Sequence, residues 1–251
     1  IGSPASVKSE IGKDMNRLNP NAILITQNTT SAGIIGSMKG GNLRGGALYS
    51  VNGGFVMVED FQSVPSDIKS KLLEILQDKR ITIAKDGQYI VKDVFSNFSF
   101  TMNPVYGDWE NPDITQINLP PQLLSRIHFL IPFTKPSKNE FNEIGKNMRL
   151  KEEYLERQER KDFFKNFIKN ASKIYKVDMS ATHYEEVGKF VGEIKDKYDA
   201  FYNINVRTIE GLVSLCKSFA RLNNRSKVDY EDVELTKELF IRLLNLWKVS
   251  L

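Results

Sequence analysis

The chain has one cysteine, Cys216, and two histidines, His128 and His183, among its 251 residues. One thiol cannot form an intrachain disulfide, and three such side chains are too few for a cysteine–histidine zinc cluster. Long apolar runs are missing as well. Phe55–Val58 (FVMV) is representative, whereas a bilayer span needs about 20 apolar residues. The opening residues lack the charged-then-apolar pattern of a signal peptide. A soluble intracellular protein with no membrane partner is therefore expected, cytoplasmic in a prokaryote or archaeon and nuclear in a eukaryote. Excess charge is also missing: the net charge is +4, compatible with a nucleic acid or nucleotide partner and decisive for neither. With 41% hydrophobic and 26% charged residues the composition is that of an ordinary globular chain, which excludes disorder.

The first two-thirds alternate short apolar runs with loops and helices. Asn21–Gln27 (NAILITQ) and Gly54–Asp60 (GFVMVED) read as buried strands. Pro65-Ser66 opens a helix whose apolar residues Ile68, Leu72, Leu73, Ile75 and Leu76 share one face. Arg80–Asp93 has two β-rich arms around Lys85-Asp86-Gly87, and Asp-Gly is a strong hairpin signal. Phe98–Asn103 and His128–Phe133 (HFLIPF) read as further strands. Gly36–Gly46 reads as a flexible loop or a short hairpin. Strands alternating with helices predict an α/β core with a parallel sheet. From about Ser137 lysine and glutamate dominate. Helices are expected near 138–176, with a possible break, and at 180–197, 206–223 and 229–248, with N-caps at Ser180 and Asp229. The expected division is a core over 1–136 and a helical lid over 137–251. No internal repeat is visible.

Two segments carry chemistry. Gly2-Ser3-Pro4-Ala5-Ser6-Val7-Lys8-Ser9 has the frame of a Walker A phosphate loop opening a helix at Ser9. Free backbone N–H groups at a helix start attract phosphate oxygens, Lys8 would reach the outer phosphates, and Ser9 would ligate Mg²⁺. Such a loop should follow a strand, so sequence upstream of Ile1 is expected in the parent protein. An apolar strand ending in Glu59-Asp60 is a Walker B candidate: Glu59 would join the Mg²⁺ shell and Asp60 would polarise the attacking water. Each segment alone has a plainer reading, a solvated lysine or a surface acid pair. Their order and spacing favour nucleotide.

The runs GGFVMVEDF, KLLEILQDKRITIAKDGQ, TMNPVYGDW and INLPPQLLSRIHFL closely resemble the minichromosome maintenance (MCM) helicases of the AAA+ class, and NVRTIEGLVSLCKSFARL resembles their lid. The resemblance implies an AAA+ P-loop core with a parallel sheet, an α-helical lid, ATP and Mg²⁺ as ligands, and a hexameric ring translocating on single-stranded or forked DNA during replication. It places Lys8 and Ser9 on the phosphate loop, Glu59 and Asp60 on the Walker B pair, and Asn103 on the sensor 1 asparagine. Arg126 falls on the arginine finger and Arg207 on the sensor 2 arginine, both acting on a neighbour's nucleotide. Lys85 falls on the hairpin lysine that touches the DNA backbone. Taken singly, Asn103-Pro104 is an ordinary turn and the cations are ordinary surface charges.

The departures from the family pattern matter. The acids are inverted, which moves each carboxylate by one methylene, about 1.5 Å. Ala5 replaces an inner glycine, Val7 stands where alanine is usual, and Ser3 replaces an acid. Ile127-His128 follows the finger in place of Phe-Asp. Gly36–Gly46 is shorter than the family's second pore element but keeps Lys39 and Arg44, which could still meet DNA. ATP binding with slow hydrolysis is the resulting expectation. A non-hydrolysing ring subunit or regulator, a chelatase- or MoxR-like remodelling ATPase, and a DNA-binding module with a decayed nucleotide site are the alternatives. Cys216 and the aromatics Phe163, Phe164 and Phe167 read as lid core, Lys151–Lys165 as a solvated helix face, and Trp109 as a candidate for a subunit interface.

Overall fold

The computed structural model describes residues 1–4, 7–39, 42–85, 88–109, 111–149, 154–199 and 202–247. The chain forms two compact units, one of Ile1 with Val7–Asn103, the other of Gly2–Ser6 with Pro104–Leu251.

The first unit runs α1 (Lys8–Leu18), β1 (Ala22–Ile25), α2 (Ser31–Ile34), β2 (Gly36–Lys39), β3 (Asn42–Gly45), α3 (Ala47–Ser50) and β4 (Phe55–Val58). A 3-10 turn follows at Phe61–Ser63, then α4 (Ser66–Asp78), β5 (Arg80–Lys85), β6 (Gln88–Asp93) and β7 (Asn97–Phe100). β1, β4 and β7 make a parallel sheet in the order β1-β4-β7, with Ile25 opposite Val58 and Val58 opposite Phe100. All four β4 residues are buried, which explains a continuous apolar run where an open strand would alternate. α1 packs on this sheet through Gly12: a Cβ there would lie 2.2 Å from the Met57 methyl. α4 buries Ile68, Leu72 and Ile75, the expected face, and ends at Lys79, whose φ of 54° stops the helix. Lys85 pairs with Gln88, so the two β-rich arms pair antiparallel as β5 and β6; Asp86 and Gly87 lie outside the described residues. Gly36–Gly46 is the hairpin alternative, not the loop, with Gly36 opposite Gly45.

Among its described residues the second unit has a 3-10 turn at Ile114–Gln116 and six helices: α5 (Pro121–Leu124), α6 (Lys138–Arg149), α7 (Tyr154–Ala171), α8 (Ala181–Tyr198), α9 (Val206–Leu222) and α10 (Tyr230–Trp247). α8, α9 and α10 pack on one another. Ser180 caps α8 by accepting from the His183 N–H, and Asn205 with Thr208 forms a capping box on α9. α8 faces inward with Val187, Val191 and Ile194, α9 with Leu212, Cys216 and Ala220, and α10 with Val233, Phe240 and Leu244. Cys216 is core, as expected, and burial raises its thiol pKa.

Three expectations need correction. His128–Phe133 is not a strand; only Phe133 forms an isolated bridge, to Gly2. Side chains, not a neighbouring strand, satisfy its backbone. Leu130 donates its N–H to the Tyr202 hydroxyl at 2.9 Å, and its carbonyl accepts from the Trp247 indole at 2.8 Å. The Phe133 carbonyl accepts from the Trp109 indole at 2.9 Å. Trp109 is accordingly buried inside its unit, edge-on to Trp247 at 5.8 Å, and offers no surface to a neighbouring subunit. Phe163, Phe164 and Phe167 are exposed on α7, stacked mainly on one another, and are not core.

One ion pair holds the start of α10. The fully buried Asp232 carboxylate accepts from both Arg225 terminal nitrogens at 2.9 and 2.7 Å and from the Asp229 N–H at 2.9 Å. Arg225→Met leaves that charge buried and uncompensated. Because Arg225 is itself partly exposed, the expected loss is at the lower end of the range for such pairs, about 3 kcal/mol. Both tryptophans of the chain, Trp109 and Trp247, lie in this unit, so tryptophan fluorescence in a urea titration reads the loss directly. A loss under about 1 kcal/mol would show that Asp232 protonates or is solvated instead.

Candidate nucleotide site

In the first unit the groups of interest gather where the parallel strands end. This is the edge at which open α/β sheets bind ligands. Beyond β1 and β4, Glu59 donates its N–H to the Ile25 carbonyl at 2.9 Å. Beyond β4 and β7, Thr101 donates its N–H to the Val58 carbonyl at 2.9 Å. It then accepts at its hydroxyl from the Asp60 N–H at 3.1 Å and at its carbonyl from the Phe61 N–H at 2.8 Å. Asp60 takes a left-handed conformation, φ 47°, at this crossing. Asn103, two residues beyond Thr101, donates its N–H to the Gln62 side-chain oxygen at 3.4 Å. Its own Oδ1 is buried with no hydrogen-bond partner among the described residues. A buried amide oxygen without a donor costs about 1–3 kcal/mol, so this atom is suited to accept from a water or ligand that arrives.

α1 supplies the positive side. Among the described residues no side chain caps its N-terminus, which leaves the first backbone N–H groups to other acceptors. Lys8, the first helical residue, is 7% exposed. Burial lowers its ammonium pKa below the usual lysine value, and the charge of Asp60 offsets part of that. An anion at this helix end would do the same, so the residues fit a phosphate. Ser9 stands beside Lys8 in the first turn. One turn later, Lys13 pairs with Glu59, Nζ to Oε1 at 2.9 Å, and that contact raises the Lys13 pKa. Of the acid pair, Asp60 thus acts on Lys8 and Glu59 is bonded to Lys13.

Val7, immediately before Lys8, has φ 63°. A β-branched residue is an outlier there. Ala5 and Ser6 lie outside the described residues.

The second unit holds the start of the loop and both arginines. Gly2 pairs with Phe133, and a Cβ at Gly2 would come within 2.3 Å of the Phe133 carbonyl, so only glycine fits. Ser3 is fully buried. Its N–H is donated to Phe133 at 3.2 Å, and its hydroxyl accepts from the Trp109 N–H at 3.2 Å. Pro4 follows, exposed. Gly2 and Ser3 therefore anchor the loop within this unit. Arg126 follows α5 and donates to the Gln122 carbonyl, one turn back. Arg207 sits in the first turn of α9 and pairs with Glu210, whose same oxygen lies 3.9 Å from His128 Nε2. Of the other cations, Lys85 is the last residue of β5, Lys39 the last of β2, and Arg44 an exposed residue of β3 opposite Ser37.

Sequence reasoning missed Lys13, Thr101 and Gln62. A signal for Lys13 was present, since a lysine five residues after Lys8 stays on the same short helix. Thr101 and Gln62 gave none, because their roles follow from strand register.

A parallel sheet with a lysine-bearing helix start, an acid pair and an asparagine at its C-terminal edge defines the P-loop nucleotide-binding class. The chain belongs to the MCM family: the model of the MCM P-loop domain matches residues 1–148. The DNA replication licensing factor mcm7 of Schizosaccharomyces pombe is 24% identical over the whole chain, and mcm6 of Dictyostelium discoideum 23% identical over 91% of it. The mcm5 of D. discoideum is 28% identical over 56% of the chain. The chain spans 35%, 28% and 19% of those relatives' lengths, respectively.

Val7→Gly tests the strained loop. The left-handed conformation costs a β-branched residue about 1–2 kcal/mol, while glycine adds about 0.5–1 kcal/mol of unfolded-state entropy. Because Val7 is half exposed and loses little packing, a net stabilisation of up to about 1 kcal/mol is expected, read as a higher urea midpoint. A lower midpoint would show that the valine side chain contributes more than its backbone strain costs.

Proposed function

We propose that this chain is the ATPase module of a ring-forming, DNA-translocating protein of replication, with residues 1–136 as the nucleotide core and 137–251 as its lid. The reading is carried by one observation: Lys8 at an uncapped helix start, an acid pair and the orphaned Asn103 oxygen meet at one edge of a parallel sheet, in a chain of the MCM family. Lys8 and the α1 N–H groups would hold the triphosphate, and Ser9 with one carboxylate of the acid pair would hold Mg²⁺. The metal supplies charge neutralisation between phosphates when bound. The Asn103 amide oxygen would accept a hydrogen bond from water and so orient it toward the outer phosphate.

Arg126 and Arg207 are the groups proposed to act on a neighbour's nucleotide, which makes one protomer incomplete and a hexamer the working form. Lys85, Lys39 and Arg44 stand on two hairpins. Their proposed role is to touch DNA phosphates without reading sequence, as a motor on single-stranded or forked DNA requires. The strain at Val7 and the Lys13–Glu59 bond support slow turnover after firm binding.

The test is ATP binding and DNA-stimulated turnover by the purified protein. Lys8→Ala should abolish binding. Asn103→Ala should keep binding and lower turnover by about 10²-fold, the usual effect of losing one transition-state hydrogen bond. Arg126→Ala should lower it by about 10³-fold or more, with activity recovered in mixed rings. Binding of DNA that ignores ATP, in the absence of any ATP binding, would overturn the reading in favour of a decayed site.

A further inference from the structure

The two acids at the end of β4 are adjacent in sequence, yet the structure gives them different cations. Glu59 is 18% exposed at its side chain and bonds Lys13 at 2.9 Å, on the second turn of α1. Asp60 acts on Lys8 at the start of the same helix. Lys8 and Lys13 are five residues apart, roughly 7.5 Å along the axis and 140° around it. Only the first of them lies at the helix end where phosphate would sit. The backbone enforces the split. Glu59 continues the β4 ladder through its bond to Ile25, whereas the left-handed Asp60 is turned at the Thr101 hydroxyl.

From this we infer that Lys13 holds the Glu59 carboxylate out of the metal shell, so that Asp60 is the carboxylate that serves Mg²⁺–ATP. The inversion of the acid pair is then compensated in space: the shorter aspartate keeps the metal side although it stands second in sequence. Lys13 is a positioning residue that acts only through Glu59. The inference rests on the nucleotide reading above and deepens it by assigning the metal to one acid.

The test measures ATP affinity by calorimetry in Mg²⁺ and again in EDTA; the ratio of the two affinities reports the metal, independent of turnover. Asp60→Asn should lower that ratio at least tenfold, Glu59→Gln should leave it within twofold, and Lys13→Met should raise it, because Glu59 becomes available as a second carboxylate. A merely structural Lys13–Glu59 pair would change the urea midpoint of these variants and leave the ratio unmoved in Lys13→Met. Loss of the ratio in Glu59→Gln overturns the inference, as does an unchanged ratio in either Asp60→Asn or Lys13→Met. If Asp60→Asn does not fold, Glu59→Gln and Lys13→Met decide alone. Tight ATP binding with no Mg²⁺ dependence overturns the metal assignment and spares the nucleotide reading. No ATP binding by the unmodified protein overturns both.

Discussion

The hydrogen bonds of Thr101 are the constraint on which the candidate site depends. Parallel pairing of β4 with β7 ends at Val58 and Phe100, and Thr101 continues it by one further backbone bond and then closes it with its hydroxyl and carbonyl. Three bonds from one residue therefore fix where the chain leaves β4 and bring Asp60 into a left-handed turn. They also set Asn103 two residues away, against Gln62. Each such bond contributes only about 1 kcal/mol net, but breaking any one leaves a polar group at the sheet edge unsatisfied. A valine at this position would keep the strand propensity and lose the hydroxyl that receives Asp60. The acid pair would keep its sequence and lose its geometry.

On this frame the electrostatics are set by α1. A helix with an uncapped N-terminus carries partial positive charge there, and Lys8 adds a full one under burial. That combination is unfavourable in isolation, as the lowered Lys8 pKa records. Asp60 relieves part of it. The remaining deficit of negative charge is the physical reason the helix end suits a phosphate. Lys13 does the opposite work on the same helix. It satisfies Glu59 internally, so the second carboxylate is not left to compete at the phosphate end.

Much of this architecture was legible in the sequence, and the failures have identifiable causes. β4 and α4 were readable because burial on both faces and on one face leave distinct apolar patterns. The Asp-Gly hairpin was readable because turn chemistry is local. Lys8, Glu59 and Asp60 were legible as candidates by order and spacing, Asn103 only through the family resemblance, and their convergence at one edge follows from strand register. His128–Phe133 misled because its pattern is that of a strand, while its partners are three side chains, Trp109, Tyr202 and Trp247, from remote positions. Phe163, Phe164 and Phe167 misled because helical spacing of aromatics marks a face without saying that anything covers it. The pairing of Glu59 with Lys13 was invisible, since it depends on the depth at which α1 lies on β4, and that depth is set by the missing side chain of Gly12.

Both arginines assigned to a neighbouring nucleotide are engaged at home, which bears on the proposed ring. Arg207 lies in the first turn of α9, where the helix dipole disfavours a cation, and Glu210 one turn on offsets it. That pair is well exposed on both sides, so it is worth only about 0.2–1 kcal/mol. A guanidinium bonded to a phosphate gains more, about 1.5–3 kcal/mol for a charged hydrogen bond. The comparison decides the direction: Glu210 can hold Arg207 in a free protomer and still lose it to a phosphate presented from outside. Arg126 donates to the Gln122 carbonyl, one turn back along the chain. A weak local partner of this kind orders Arg207 without preventing its transfer, which is what the proposed ring site requires.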